Sequence, residues 1–265
     1  MGVVNLLSER VGGISDALGC YYRDAGKFEI FSDGAVAEQT QEWLREHGGD
    51  ATASGPRTAD EWLVVCVAYG PWIEPVQARM ALSALTALRR LGGDLRSVVH
   101  RVVDVQREFG YRFVWQNTWI EMVASHLAHD NRSFSDLCEE LRHLPGLQAR
   151  DALLALVAAA QGKTISCFVR DYLLCDAFPI DRRVRRLLEQ VALPPSEEVV
   201  VELCRRAGCS PGVLNRMMYD YEKGCTNNRR PQCCLRDFCF IADLENWECR
   251  TGKPRLQTQM QGAPP

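Results

Sequence analysis

Several features that identify common protein classes are missing from this 265-residue sequence. It has no run of 18 apolar residues and no basic-then-apolar N-terminal segment, which excludes a predicted membrane span and a secretory signal. It also has no internal repeat, no Walker phosphate loop, no Ser-His-Asp order and no paired-carboxylate motif. A cytoplasmic protein, or a nuclear one in a eukaryote, with no membrane partner is therefore expected.

Sequence that favours β-strands is also scarce. Residues 27–32 are the one convincing strand candidate, too little for a substantial sheet. Apolar residues at helical spacing dominate elsewhere. Helices are predicted over 62–91 with a break at Tyr69-Gly70-Pro71, over 134–141 and 149–160, and after caps at Ser196 and Ser210. The pattern predicts an all-α protein of many short helices.

Charge is distributed unevenly along the chain, although the net value is only −3. Residues 1–140 carry 13 Lys and Arg against 20 Asp and Glu, a net charge of −7. Residues 141–265 carry 18 against 14, a net charge of +4. A phosphate-binding surface needs local positive charge rather than a high overall pI. The second part of the chain can thus carry a nucleic-acid-binding face.

A lysine and an aspartate lie at two breaks in the helical pattern. Lys163 follows a glycine between two apolar runs, and Asp181 follows a proline-led stretch and opens a basic helix. An amine can attack the anomeric carbon of a sugar and form a Schiff base, while a carboxylate can assist proton transfer and stabilise a sugar cation. The plainer alternatives are a solvated surface charge for Lys163 and a helix N-cap for Asp181.

The order Gly-Lys-Thr, amphipathic helix, proline-led turn, Ile-Asp and basic helix over residues 162–186 resembles the helix-hairpin-helix DNA glycosylase superfamily. The segment 163–174 is similar to the archaeal 8-oxoguanine glycosylase branch. The resemblance implies that Lys163 is a Schiff-base nucleophile and that Asp181 assists deprotonation and stabilises the sugar cation. It also implies DNA contacts from Gly162, Thr164, Arg182 and Arg183.

A second hairpin candidate, Leu144-Pro145-Gly146-Leu147, is closer to the family's Leu-Pro-Gly pattern. It would put Arg150 in the nucleophile's place, and a guanidinium that is always protonated cannot form a Schiff base. Lys163 fits both the chemistry and the spacing to Asp181, although residues 158–162 in front of it lack Leu-Pro-Gly. Lys163 is therefore the predicted nucleophile.

Cysteine is concentrated in the last quarter, which holds seven of the 12 in the chain. Residues 219–239, with a Pro-x-Cys step and intervening basic residues, resemble the [4Fe–4S] loop of endonuclease III-type glycosylases. The spacing departs from that family, since Cys233 and Cys234 are adjacent. The resemblance implies a [4Fe–4S] cluster held by four of Cys225, Cys233, Cys234, Cys239 and Cys249. A structural zinc or unligated thiols are the alternatives. Arg229 and Arg230 would contact a DNA phosphate.

Aromatic and amide side chains in two segments are candidates for a base pocket, because a flipped-out base stacks on aromatic rings and is recognised by amides. They are Trp115, Gln116, Asn117, Tyr69 and Trp72. Aromatic residues at this spacing more often belong to a core. The pocket assignment stays a hypothesis beside that interpretation.

The resemblance implies a two-lobed, all-α helix-hairpin-helix glycosylase architecture with a C-terminal Cys-rich metal or cluster loop. The expected organisation is 1–54 as the N-terminal part of the second lobe, 55–175 as the central lobe, 176–224 as the rest of the second lobe, 225–249 as the Cys-rich loop and 250–265 as a disordered tail. The expected function is a monomeric base-excision DNA glycosylase and AP lyase acting on a damaged, oxidised base in double-stranded DNA. The alternatives are a monofunctional glycosylase using Asp181 alone and a noncatalytic DNA- or partner-binding module with structural metal.

Overall fold

The computed structural model describes residues 2–68, 74–92, 133–156, 162–226 and 233–239, with single positions 95, 104, 123, 125 and 129. Every regular element in these residues is a helix, which confirms the predicted all-α class. The α-helices are α1 (Val3–Asp24), α2 (Val36–Gly48), α3 (Ala59–Ala68), α4 (Glu74–Arg90), α5 (Phe134–Arg142), α6 (Gly146–Leu156), α7 (Gly162–Phe168), α8 (Arg182–Gln190), α9 (Glu197–Ala207) and α10 (Pro211–Thr226). None of these helices is both long and apolar enough to cross a membrane.

The strand predicted at residues 27–32 is wrong. Phe28–Phe31 forms a single 3₁₀ turn instead. The Phe31 ring is buried and packs on Tyr22 of α1, with 4.4 Å between the ring centroids. A short apolar run satisfies either a strand or a helical turn, and here the contact with α1 decides the outcome.

The chain divides into two compact units, one formed by residues 32–179 and the other by residues 1–31 with 180–265. The sequence-based organisation ended the N-terminal part at residue 54 and the central lobe at residue 175. Residues 32–54 lie in the central unit because α2 packs against α4. The N-terminal helix α1 lies in the unit that contains α8, α9 and α10.

The central unit is organised around α3. Nine of its ten residues are buried, Asp60 being the one that is not. From Trp62 onward every residue of α3 is apolar, so the helix must be enclosed on every side, and it packs against α4, α5 and α7. Because α7 carries Lys163, its position is set directly by the most buried helix of this unit.

Arg89 makes several hydrogen bonds to the loop after α2 and to the helix that follows it. Arg89 donates to the side chain of Ser54 at 2.8 Å, to the carbonyl of Gly55 at 2.8 Å and to Oε1 of Glu61 at 2.8 Å. Glu61 also accepts from the backbone N–H of Arg57 at 2.7 Å. These bonds satisfy loop backbone groups that no helix ladder reaches.

The unit that contains Asp181 combines residues 1–31 with residues 180–265, and hydrogen bonds join the two segments. The hydroxyl of Tyr22 donates to Oδ2 of Asp220 at 2.8 Å, and Arg10 donates to the carbonyl of Val191 at 2.6 Å. The buried Arg216 of α10 donates to the carbonyl of Phe31 at 2.8 Å. These bonds and the packing of α1 on α9 and α10 hold the N-terminal segment in this unit.

The turn between α5 and α6 approaches another backbone segment closely at Gly146. A Cβ at this position would fall on the backbone of Asp176, including its carbonyl. The neighbouring turns also meet where Arg142 lies over the Tyr172 ring, 4.7 Å from its centroid. Only a residue without a side chain fits position 146.

Gly146→Ala is therefore expected to destabilise the protein by about 3 kcal/mol, since relief requires a backbone shift rather than a rotamer change. Gly34→Ala is the matched control, because a Cβ there has nothing within 4 Å. Urea unfolding of both variants is the measurement. Equal midpoints for the two variants would contradict the close approach at Gly146.

Candidate active site

Lys163 is the second residue of α7 and is half-buried. Beyond its chain neighbours and helix backbone, no atom of the described residues lies within 4 Å of the point where a Cβ of Gly162 would stand. Thr164, which was predicted to contact DNA, is only 4% exposed. The amine thus stands at the start of a helix whose following residues are buried.

Ionisable side chains of α3, of α7 and of the turn that follows α7 lie close to one another. The Cys66 thiol of α3 is within electrostatic range of Cys167, Asp171, Arg170 and Lys163. Burial raises the pKa of the Cys66 thiol well above its usual value, so it stays protonated and uncharged at neutral pH. It is therefore a packing residue rather than a competing nucleophile.

An ion pair between neighbouring residues lies in the π-helical turn Val169–Leu173 that extends α7. Arg170 donates from Nε to Oδ1 and from Nη2 to Oδ2 of Asp171, both at 2.6 Å. The two side chains are 14% and 6% exposed. A π turn with a desolvated bidentate pair is a costly local structure of the kind found near functional residues.

Asp181 is the N-cap of α8, as the plainer sequence interpretation anticipated. Its Oδ1 accepts from the backbone N–H of Arg183 at 2.9 Å and of Val184 at 2.8 Å. Within the described residues, no hydrogen bond is found to Oδ2. One carboxylate oxygen thus orients the side chain and the other stays available for chemistry.

Two of the four arginines of α8 are engaged with α10. Arg183 donates to the Tyr219 hydroxyl at 3.3 Å and lies over the Tyr219 ring, 5.2 Å from its centroid. Arg186 forms an ion pair with Glu222. Arg183, predicted to contact DNA, therefore has an intramolecular partner, whereas the predicted Arg182 is exposed.

Glu222 is a buried carboxylate near Asp181 that the sequence did not single out. It is 1% exposed, and burial raises the pKa of its carboxyl, while Arg186 and Arg183 lower it and Asp181 raises it. The sequence did contain a pattern that could have predicted this contact. Tyr219 and Glu222 are three residues apart on α10, and Arg183 and Arg186 are three residues apart on α8. Equal spacing puts each pair on one helix face.

The Cys-rich segment contacts the end of α10 through Tyr221. The Tyr221 hydroxyl accepts from the backbone N–H of Cys234 at 3.0 Å and lies 3.1 Å from Sγ of Cys233. Cys239 follows the 3₁₀ turn Arg236–Phe238. The described residues contain no group of three His, Cys, Asp or Glu side chains that could hold a metal. They therefore do not assemble a cluster site by themselves.

Many predicted site residues lie outside the described part of the chain. These are the base-pocket candidates Tyr69, Trp72, Trp115, Gln116 and Asn117, the arginines Arg229 and Arg230, and Cys249. Cys225 lies in α10, but its side chain is outside the description. Residues 157–161, in front of Gly162, are outside it as well. These assignments stay predictions.

Replacing Asp181 separates its capping role from its chemistry. Asp181→Ala is expected to lower the free energy of unfolding by about 1 kcal/mol, because two backbone N–H groups lose their acceptor. Asp181→Asn keeps an oxygen acceptor and should stay within about 0.3 kcal/mol of the wild type. Chemical denaturation measures both, and an Asn variant as unstable as the Ala variant would refute the capping geometry.

Glu222 predicts a pH-dependent contribution to stability. Because the folded-state pKa is raised, this carboxyl binds its proton more readily in the folded chain, so its stabilising contribution is full at low pH and falls as the pH rises through that pKa. The unfolding free energy of the wild type minus that of Glu222→Gln should therefore decrease between pH 4 and pH 7. Denaturant titrations across this range measure it, and a difference that grows with pH would contradict the assignment.

No family model matches this chain, and no curated protein does. Among solved structures, the chain is similar to the 8-oxoguanine DNA glycosylase of Thermotoga maritima, with a TM-score of 0.48 and 18% sequence identity. The alignment covers 81% of this chain and 98% of that chain. A likeness of this size assigns neither a family nor a function to the chain.

Proposed function

We propose that this protein is a base-excision DNA glycosylase with AP lyase activity that removes an oxidised base from double-stranded DNA and acts as a monomer. One observation carries the proposal. The half-buried Lys163 is the second residue of α7, and eighteen residues later Asp181 caps α8 with a carboxylate of which one oxygen has no hydrogen bond within the described residues. These are the two groups that opening an N-glycosidic bond and cleaving the strand through a Schiff base require.

Lys163 supplies the nucleophile. Its neutral Nζ attacks C1′ of the deoxyribose, and the C1′–N bond to the base breaks, so the base leaves with the bond's electron pair and takes up a proton. Opening of the sugar gives a Schiff base between Nζ and C1′. Loss of a C2′ proton then expels the 3′-phosphate by β-elimination, which nicks the strand. Water finally hydrolyses the Schiff base and restores the amine.

Asp181 acts on the same sugar as acceptor and counter-charge. It takes the proton that Nζ loses on attack and stabilises the positive charge that develops on the ring. Because Oδ1 is held by the N–H groups of Arg183 and Val184, the carboxylate is oriented before the substrate arrives. Preorganised charge of this kind reduces reorganisation during the reaction.

A structural [4Fe–4S] cluster, with zinc as the alternative, belongs to the same proposal. Four of the thiols Cys225, Cys233, Cys234, Cys239 and Cys249 would hold it. Thiolate sulfur suits either metal centre. The described residues bring Cys233 and Cys234 to Tyr221 and so anchor the segment to α10. None of the steps at the sugar involves the metal.

The chain contains only four lysines, Lys27, Lys163, Lys223 and Lys253, which makes the nucleophile testable by substitution. Lys163→Gln should lower strand nicking at an excised site by at least about 10³-fold, because glutamine cannot form a Schiff base. Lys27→Gln, which removes an exposed lysine, is the matched control and should keep wild-type activity. Single-turnover assays on duplexes with oxidised purines or oxidised pyrimidines would measure base release and nicking separately.

If the Lys163→Gln variant still nicks the strand, Lys163 is not the Schiff-base nucleophile. Loss of nicking with base release retained would instead favour the monofunctional alternative, in which Asp181 alone activates water. That alternative draws on the unengaged Oδ2 of Asp181. If neither the wild type nor any variant releases a base from any of these duplexes, the result favours the alternative of a noncatalytic binding module.

A further inference from the structure

The charges of α8 run against the helix dipole. Cations weaken a helix when they lie in its first turn, because the N-terminus already carries partial positive charge. The first turn of α8 contains no acidic residue and begins with Arg182 and Arg183, while Glu189 stands near its C-terminal end. Asp181, the N-cap, is the acidic residue that directly precedes these arginines in the sequence.

A neighbouring helix of the same unit shows the usual order. The first turn of α9 carries Glu197 and Glu198, and its last turn carries Arg205 and Arg206. Both arginines bind Glu202, with Arg205 Nε at 2.8 Å and Arg206 Nε at 2.6 Å. The charges of α9 thus support the helix, and its arginines are neutralised within the chain.

The four arginines of α8 form two pairs, one in contact with α10 and one exposed. Arg183 and Arg186 contact Tyr219 and Glu222 of α10. Arg182 and Arg185 are exposed, and within the described residues neither side chain has a hydrogen bond or an ion pair. They are three residues apart and therefore lie on one face of the helix. Two unpaired guanidinium groups stand together within one turn of the Asp181 cap.

We propose that Arg182 and Arg185 form a phosphate-contact pair that grips the DNA backbone beside the nucleotide on which Asp181 acts. The inference deepens the proposed function and relies on it for the DNA partner. It adds Arg185 to the DNA-binding residues and assigns Arg183 and Arg186 to holding α8 on α10. Guanidinium groups suit this role because they bind phosphate oxygens with two parallel N–H donors.

The reversed charge order is explained by this role. Local violations of helix-building rules concentrate at functional sites, because a feature that weakens the helix persists when it serves binding. Placing the arginines at the N-terminal end adds their charge to that of the helix dipole. The positive potential is therefore greatest at this end of α8, where an anionic backbone would be bound.

Salt dependence of binding to an undamaged duplex tests the pair directly. Each phosphate contact contributes about 0.9 to the slope of log K against log salt concentration, so Arg182→Gln/Arg185→Gln should lower that slope by about 2. Arg205→Gln/Arg206→Gln removes the same charge from the same unit, but from residues paired with Glu202, and should keep the wild-type slope. The α8 variant should also show no loss of melting temperature, because it removes charges that oppose the helix dipole.

Equal slopes for the two double variants would overturn the proposal, since the loss would then reflect net charge alone. Binding of poly-glutamate as tight as binding of the duplex would overturn the assignment to DNA phosphate. The readout is independent of catalysis. If the protein binds DNA through Arg182 and Arg185 but never nicks it, the proposed lyase activity is refuted and the phosphate contact is supported. If the protein nicks DNA but the double variant leaves the salt slope unchanged, the lyase activity is supported and the phosphate contact is refuted.

Discussion

The capping of α8 by Asp181 is the interaction on which the account depends. A helix start leaves backbone N–H groups without partners, and Oδ1 of Asp181 accepts from two of them. The same contact fixes the direction of the carboxylate at the start of the helix that carries the four arginines. One side chain thus serves local structure with one oxygen and leaves the other available for proton transfer.

Burial determines what the surrounding groups can do. Glu222 pairs with Arg186 where water cannot solvate it, and burial raises the pKa of the Glu222 carboxyl although Arg186 lowers it. In the central unit, burial keeps the Cys66 thiol protonated, while Lys163 is only half-buried. The Cys66 thiol is thereby kept unreactive, while part of the Lys163 residue stays exposed.

Features governed by local chemistry were predictable from the sequence. The cap at Ser196 is present, where its hydroxyl accepts from the N–H of Val199, and α10 starts at Pro211 as expected. The strand prediction at residues 27–32 was wrong because the Phe31 ring packs on Tyr22 of the preceding helix. Glu222 was missed because its partner, Arg186, lies on a helix more than 30 residues earlier in the chain.

Identification of the modified residue tests the central claim most directly. The protein would be incubated with a duplex carrying an abasic site and reduced with borohydride, which converts a Schiff base into a stable amine, and the adduct would then be digested and located by mass spectrometry. The account predicts that the sugar remnant is on Lys163 and that Asp181→Asn reduces its yield. An adduct on Lys27, Lys223, Lys253 or the N-terminal amine, with Lys163 unmodified, would contradict it.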